Sequence, residues 1–68
     1  MGYWADGTIL DVSKSGLRVR VARPVTRGWK VQVTIGDSIV EGQVRYCVQS
    51  GEAYEFGVFV LDVAEGAR

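Results

Sequence analysis

Residues 9–20 read Ile9-Leu10-Asp11-Val12-Ser13-Lys14-Ser15-Gly16-Leu17-Arg18-Val19-Arg20. A short polar turn joins two apolar segments, and in the second of these Leu17 and Val19 alternate with arginines. A period of two is typical of a β-strand with one face toward a core, so the arginines should point away from it. We expect the side chains of Asp11 and Ser13 to satisfy backbone N–H groups of the turn, and Gly16 to adopt the left-handed conformation.

The same alternation extends outward from this turn through most of the chain. It predicts five short strands, at residues 8–12, 17–21, 30–35, 39–48 and 54–61, with small polar residues and glycine between them. The longest connection contains Pro24, which cannot donate to a central ladder, and Gly28, which suits a position with positive φ. Helical spacing is nowhere sustained. The pattern is typical of an all-β fold, a small antiparallel barrel or sandwich with little or no helix.

The two longest strands carry different apolar patterns. In the fourth strand, alternation predicts that one face packs on the core, made of Val40, Gly42, Val44, Tyr46 and Val48. The opposite face is made of Glu41, Gln43, Arg45 and Cys47. The last strand is apolar on both faces, with Phe59 and Leu61 on the side opposite Tyr54, Phe56, Val58 and Val60. A barrel strand faces its own core on one side only. The second apolar face therefore predicts a covering helix, subunit or further domain.

Length and composition restrict the classes of protein. A chain of 68 residues, 47% of them apolar, has room for one soluble domain with little reserve of stability. Cys47 is the single cysteine and there is no histidine, which excludes an intrachain disulfide and an ordinary zinc site. Neither a membrane-spanning segment nor a signal peptide is recognisable, so we expect a cytoplasmic protein with no membrane partner.

The net charge is zero, but the charges are unevenly distributed along the chain. Residues 12–36 contain six cations and no acid: Lys14, Arg18, Arg20, Arg23, Arg27 and Lys30. This segment suits a phosphate-bearing ligand, and the alternative is a solvated strand face. A small nucleic-acid-binding barrel is disfavoured, because Trp29 is the only aromatic residue in the cationic segment and the pI is near 6.

Catalysis has little support in the sequence. Cys47 has no evident base, and the carboxylates are scattered over turns rather than paired. Glu52 and Glu55 flank a turn and are interpreted as solubilising charges. We therefore predict a protein that is not an enzyme, with no catalytic and no metal-binding residues.

The turn resembles the signature of the PilZ domain family, which is an Asp or Asn, one residue, Ser, two residues and Gly. Asp11, Ser13 and Gly16 match it, and further features of the family follow in order between residues 8 and 61, among them the segment 42–46 and Gly57-Val58-Phe59. The resemblance implies a split β-barrel of five to six strands that receives cyclic di-GMP. In that family the Asp and Ser positions hydrogen-bond a guanine, whose edge offers matching donors and acceptors. The expected ligand-binding residues are Asp11, Ser13, Gly16, Arg18 and Arg20, with cyclic di-GMP as ligand and no other cofactor.

One part of the family pattern is missing. PilZ domains that bind cyclic di-GMP carry an Arg-x-x-x-Arg signature upstream of the turn, whereas residues 1–10 contain no arginine. Arg23 and Arg27 have this spacing but follow the turn. We therefore expect residues 1–68 to form a single PilZ-like domain that lacks the family's N-terminal segment.

The missing segment leaves two functional hypotheses open. The first is a regulatory module that binds cyclic di-GMP or takes part in its signalling. The alternative is a degenerate domain that acts through protein contacts or homo-oligomerisation at an open sheet edge. Tyr3 and Trp4 would then be contact residues, or a plug on the open end of the domain's own barrel.

Overall fold

The computed structural model describes residues 6–65. Five β-strands account for most of this range: β1 (Gly7–Val12), β2 (Gly16–Val21), β3 (Lys30–Ile35), β4 (Ser38–Ser50) and β5 (Ala53–Glu65). The predicted strands are confirmed, but β4 and β5 are each 13 residues long and exceed the predicted bounds. Tyr3 and Trp4 lie outside the described residues.

All strand pairs are antiparallel, and they form one sheet in the order β1-β2-β5-β4-β3. The all-β class is therefore confirmed. The sheet is not closed by hydrogen bonds between β1 and β3, which are its two edges, and its form is compatible with the barrel-like PilZ fold. Residues 6–65 contain no helix, and so none that is long and apolar enough to cross a membrane.

The core lies on one face of the sheet, which we call the inner face. Alternate residues of β2 supply Leu17, Val19 and Val21, as the period of two predicts. The other buried apolar side chains are Val25, Val40, Val44, Phe56 and Val58. Val25 belongs to the connection between β2 and β3, where Gly28 has the expected positive φ of 94°. The opposite, outer face carries the arginines of β2.

A β-bulge in β4 changes which side chains face the core. Val44 pairs with Val58 and Tyr46 pairs with Gly57, so Arg45 is an extra residue without a partner in β5. One inserted residue reverses the alternation beyond it. The prediction that Tyr46 and Val48 face the core is therefore wrong: their exposures are 40% and 52%, and the half-buried Cys47 packs against the core instead.

The end of β5 continues well beyond the predicted strand. Residues 62–65 pair with the start of β4, although β2 accompanies β5 only as far as Phe59. Phe59 and Leu61 are exposed, as are Val63 beside them and Ile39 of β4. The two-sided apolar character predicted for this strand thus leaves apolar side chains at the surface.

Candidate functional site

The turn between β1 and β2 is closed by its own backbone. The Ser13 N–H donates to the Gly16 carbonyl at 2.8 Å, and the Ser13 hydroxyl donates to the same oxygen at 3.3 Å. The turn is also joined to β5, because the Val60 N–H donates to the Ser15 carbonyl at 2.9 Å. The expectation that Ser13 accepts from a turn N–H is therefore wrong, since its hydroxyl donates to a carbonyl.

Gly16 does not adopt the left-handed conformation that the sequence suggested. The glycines with positive φ in the described chain are Gly28, Gly36 and Gly51. At Gly16 the reason for glycine is space, because a Cβ there would lie 3.2 Å from the Val58 carbonyl oxygen and 3.6 Å from the Ser13 hydroxyl. The absence of a side chain lets the turn approach β5 closely.

This turn borders an open hollow on the outer face, with a volume of about 330 Å³, which we call the outer depression. Four of the five predicted ligand-binding residues line it: Asp11, Ser13, Gly16 and Arg18. The other lining residues are Leu17, Arg45, Tyr46, Gly57 and Val58. The fold therefore gathers most of the predicted site in one place. Arg20 lies outside it and instead borders a second, more open hollow of about 600 Å³.

Tyr46 and Arg45 were not predicted as site residues. The bulge at Arg45 brings the Tyr46 side chain to the outer face, where the ring covers Gly57. A Cβ on Gly57 would lie 2.3 Å from Tyr46 Cε2, so this glycine makes room for the ring. Tyr46 forms an aromatic wall of the outer depression beside Arg18, with 40% of its surface exposed. Alternation alone could not reveal this, because it assigned Tyr46 to the core.

Charged side chains form a continuous row on the outer face, which we call the ion-pair row. Arg18 Nε lies 3.7 Å from Asp11 Oδ2, and Arg18 Nη1 lies 3.6 Å from Glu55 Oε1. Arg20 Nη2 donates to Glu55 Oε2 at 3.3 Å. The cations of β2 are thus paired with Asp11 of the adjacent β1 and with Glu55 of β5, which is distant in sequence. The interpretation of Glu55 as a simple solubilising charge is wrong.

None of the other cations of residues 12–36 lines the outer depression, although Lys14 belongs to the turn that borders it: Lys14, Arg23, Arg27 and Lys30. In the part of the chain that the structure describes, no three His, Cys, Asp or Glu residues are grouped closely enough to hold a metal ion. The chemistry of the outer depression is therefore that of carboxylate, hydroxyl, guanidinium and aromatic groups.

Comparison with known proteins bears out the family resemblance of the sequence. No curated protein and no solved structure matches the chain significantly. The model of one protein family, described as PilZ domain, matches residues 1–68. PilZ domains are regulatory binding domains, and the family is a known receptor of cyclic di-GMP. Because the match covers the whole sequence, the chain belongs to the PilZ domain family.

Proposed function

We propose that this PilZ domain is a non-enzymatic cytoplasmic module that binds cyclic di-GMP in the outer depression. The observation that carries the proposal is the meeting of Asp11, Ser13, Gly16 and Arg18 with Arg45 and Tyr46 around one hollow. A volume of about 330 Å³ is at the low end for ligand pockets, which suits one part of a dinucleotide rather than the whole molecule.

The base-reading part of the site consists of Asp11, Ser13 and Tyr46. An ionised carboxylate accepts hydrogen bonds at several positions, so Asp11 can receive guanine N–H donors while it remains beside Arg18. The Ser13 hydroxyl can also accept while it donates to Gly16. The exposed Tyr46 ring offers a flat surface on which a base can stack, worth about 1–3 kcal/mol.

Guanidinium groups at the edge of the outer depression would meet the phosphates. Arg18 and Arg45 both line it and are both exposed to solvent. Each charge-assisted hydrogen bond to phosphate contributes about 1.5–3 kcal/mol. These two arginines would supply the phosphate contacts that the Arg-x-x-x-Arg signature supplies elsewhere in the family.

Calorimetric titration of the full chain with cyclic di-GMP at low salt tests this function. We expect heat that saturates at equimolar or higher ligand, and weaker binding of cyclic di-AMP, because adenine lacks the N–H donors of the guanine edge that Asp11 would accept. No heat with cyclic di-GMP at tens of micromolar protein, or equal affinity for both dinucleotides, would contradict the proposal.

A second candidate function is protein interaction or oligomerisation without nucleotide binding. It is favoured by the exposed apolar side chains of Phe59, Leu61 and Val63 in the second half of β5, and by the two sheet edges. Light scattering at increasing concentration distinguishes this function, since the chain has a mass of 7.4 kDa. Self-association without any response to cyclic di-GMP would support it, and a monomer at high concentration would exclude self-association.

A further inference from the structure

We propose that Glu55 sets the affinity of this site by competing with the ligand's phosphates for Arg18. The inference rests on the proposed function, because it concerns the same outer face. It starts from an imbalance in the ion-pair row: the Glu55 side chain is 20% exposed, whereas those of both arginines are 47% exposed. The acid is therefore the more buried partner, and the guanidinium groups are the more accessible ones.

Strand pairing determines the position of Glu55. It lies directly opposite Arg20 in β2, while Arg18 lies opposite the neighbouring Gly57. Gly57 has no side chain and the Tyr46 ring fills the space above it, and Arg18 still reaches Glu55 along the outer face. Each carboxylate oxygen then engages one arginine, Oε1 with Arg18 at 3.6 Å and Oε2 with Arg20 at 3.3 Å.

The location of Arg18 links this row to the ligand. Arg18 lines the outer depression, Glu55 does not, and Arg20 borders the second hollow. A phosphate at the edge of the outer depression would need the same Arg18 donors that now face Glu55 and Asp11. The two acids and two arginines of the ion-pair row sum to zero charge, so an anion meets no net attraction from them.

Replacing Glu55 by a neutral residue should remove its competition with an anion for Arg18. Exposed ion pairs are worth about 0.2–1 kcal/mol each, so freeing Arg18 from Glu55 should tighten anion binding by a factor of up to about five. The opposite role, in which Glu55 holds the arginines in place for the ligand, predicts weaker binding after the same change. The sign of the effect therefore decides between competition and positioning.

The experiment compares wild type, Glu55→Gln and Asp37→Asn at low salt. Asp37→Asn removes the same charge from the exposed turn between β3 and β4, outside the ion-pair row and outside both hollows. Inorganic pyrophosphate is the first probe, followed through the Nε–H resonances of Arg18 and Arg20 in nuclear magnetic resonance spectra. We expect the apparent dissociation constant to fall by a factor of up to about five in Glu55→Gln and to stay unchanged in Asp37→Asn.

Equal or weaker pyrophosphate binding by Glu55→Gln overturns the inference. If Glu55→Gln lowers the thermal midpoint of unfolding so far that the comparison fails, Glu55→Thr replaces it, because threonine is neutral and favours strands. The same fall in the apparent dissociation constant is expected. Cyclic di-GMP is the second probe. If the wild-type protein binds pyrophosphate at these arginines but does not bind cyclic di-GMP, only the proposed function is refuted. If wild type and Glu55→Gln bind pyrophosphate with identical affinity, only the competition by Glu55 is refuted.

Discussion

Asp11 makes an ion pair that contributes little to folding stability, and we propose that it makes a hydrogen bond that contributes much to ligand affinity. Its side chain is 62% exposed and lies 3.7 Å from Arg18, so the ion pair contributes little to folding. We expect Asp11→Ala to change the free energy of unfolding by less than about 0.5 kcal/mol. The same change should weaken cyclic di-GMP binding about tenfold or more, because a charged acceptor for the guanine is lost.

Asp37→Ala is the matched control for this comparison, since it removes an exposed carboxylate from the turn between β3 and β4, away from the outer depression. Urea unfolding and calorimetric titration measure the two quantities separately. A proportional loss of stability and affinity in Asp11→Ala would show that the residue acts through the fold.

Two buried glycines of the central strands should respond differently to alanine. A Cβ on Gly42 would lie 2.6 Å from the Phe59 carbonyl oxygen and 2.3 Å from Val58 Cγ1, so backbone and core would have to move. For Gly57 the atoms nearest to an added Cβ all belong to the Tyr46 ring, which is part of an exposed side chain. We expect Gly42→Ala to cost about 1–3 kcal/mol in unfolding free energy and Gly57→Ala clearly less.

Gly57→Ala should nevertheless weaken nucleotide binding, because the displaced Tyr46 no longer forms a wall of the outer depression. Urea denaturation orders the two variants by stability, and titration tests the effect at Gly57. If Gly57→Ala proved as destabilising as Gly42→Ala, the ring would have no freedom to move.

At the scale of elements, the bulge in β4 separates two valines that alternation places on the same face. Val44 is 2% exposed before the bulge, and Val48 is 52% exposed after it. We expect Val44→Ala to lower the free energy of unfolding by about 2 kcal/mol, and Val48→Ala by less than about 0.5 kcal/mol. Chemical denaturation measures both, and equal costs would mean that β4 has no bulge.

The existence of the strands could be predicted from sequence, whereas their irregularities could not. Apolar and polar residues alternate in residues 17–21 and 30–35, and buried or half-buried side chains alternate with exposed ones in the same way in β2 and β3. Bulges arise from pairing between distant segments, so the face of Tyr46 depends on β5 and cannot be deduced from β4 alone. The role of Glu55 was hidden for the same reason, because its partners Arg18 and Arg20 lie in a strand more than thirty residues earlier.

The site was predictable to the extent that it depends on one local turn. Asp11, Ser13 and Gly16 are close in sequence, and the structure places them around one hollow. The reason for Gly16 was not predictable, because it is the approach of β5 rather than the local backbone conformation. Arg45, Tyr46 and Gly57 join the turn only through the order of strands in the sheet.

At the scale of the whole molecule, small size makes ligand binding easy to detect by stability. A chain of this length has a free energy of unfolding of about 3–10 kcal/mol. Ligand at 100 times its dissociation constant adds about 2.7 kcal/mol, which should raise the thermal midpoint by about 10–20 °C. We expect this shift with cyclic di-GMP and a smaller one with cyclic di-AMP at the same concentration. Scanning calorimetry provides the measurement, and equal shifts would argue against guanine recognition.

The bulge at Arg45 finally has a consequence for how this sequence can change over evolution. Before Arg45, β4 places Val40 and Val44 in the core; after Arg45, it places Tyr46 on the outer surface. Both assignments depend on the number of residues in β4 and not only on their identity. Loss of a single codon here would exchange interior and surface for half of the strand, so we expect the length of this segment to tolerate less variation than the side chain at position 45.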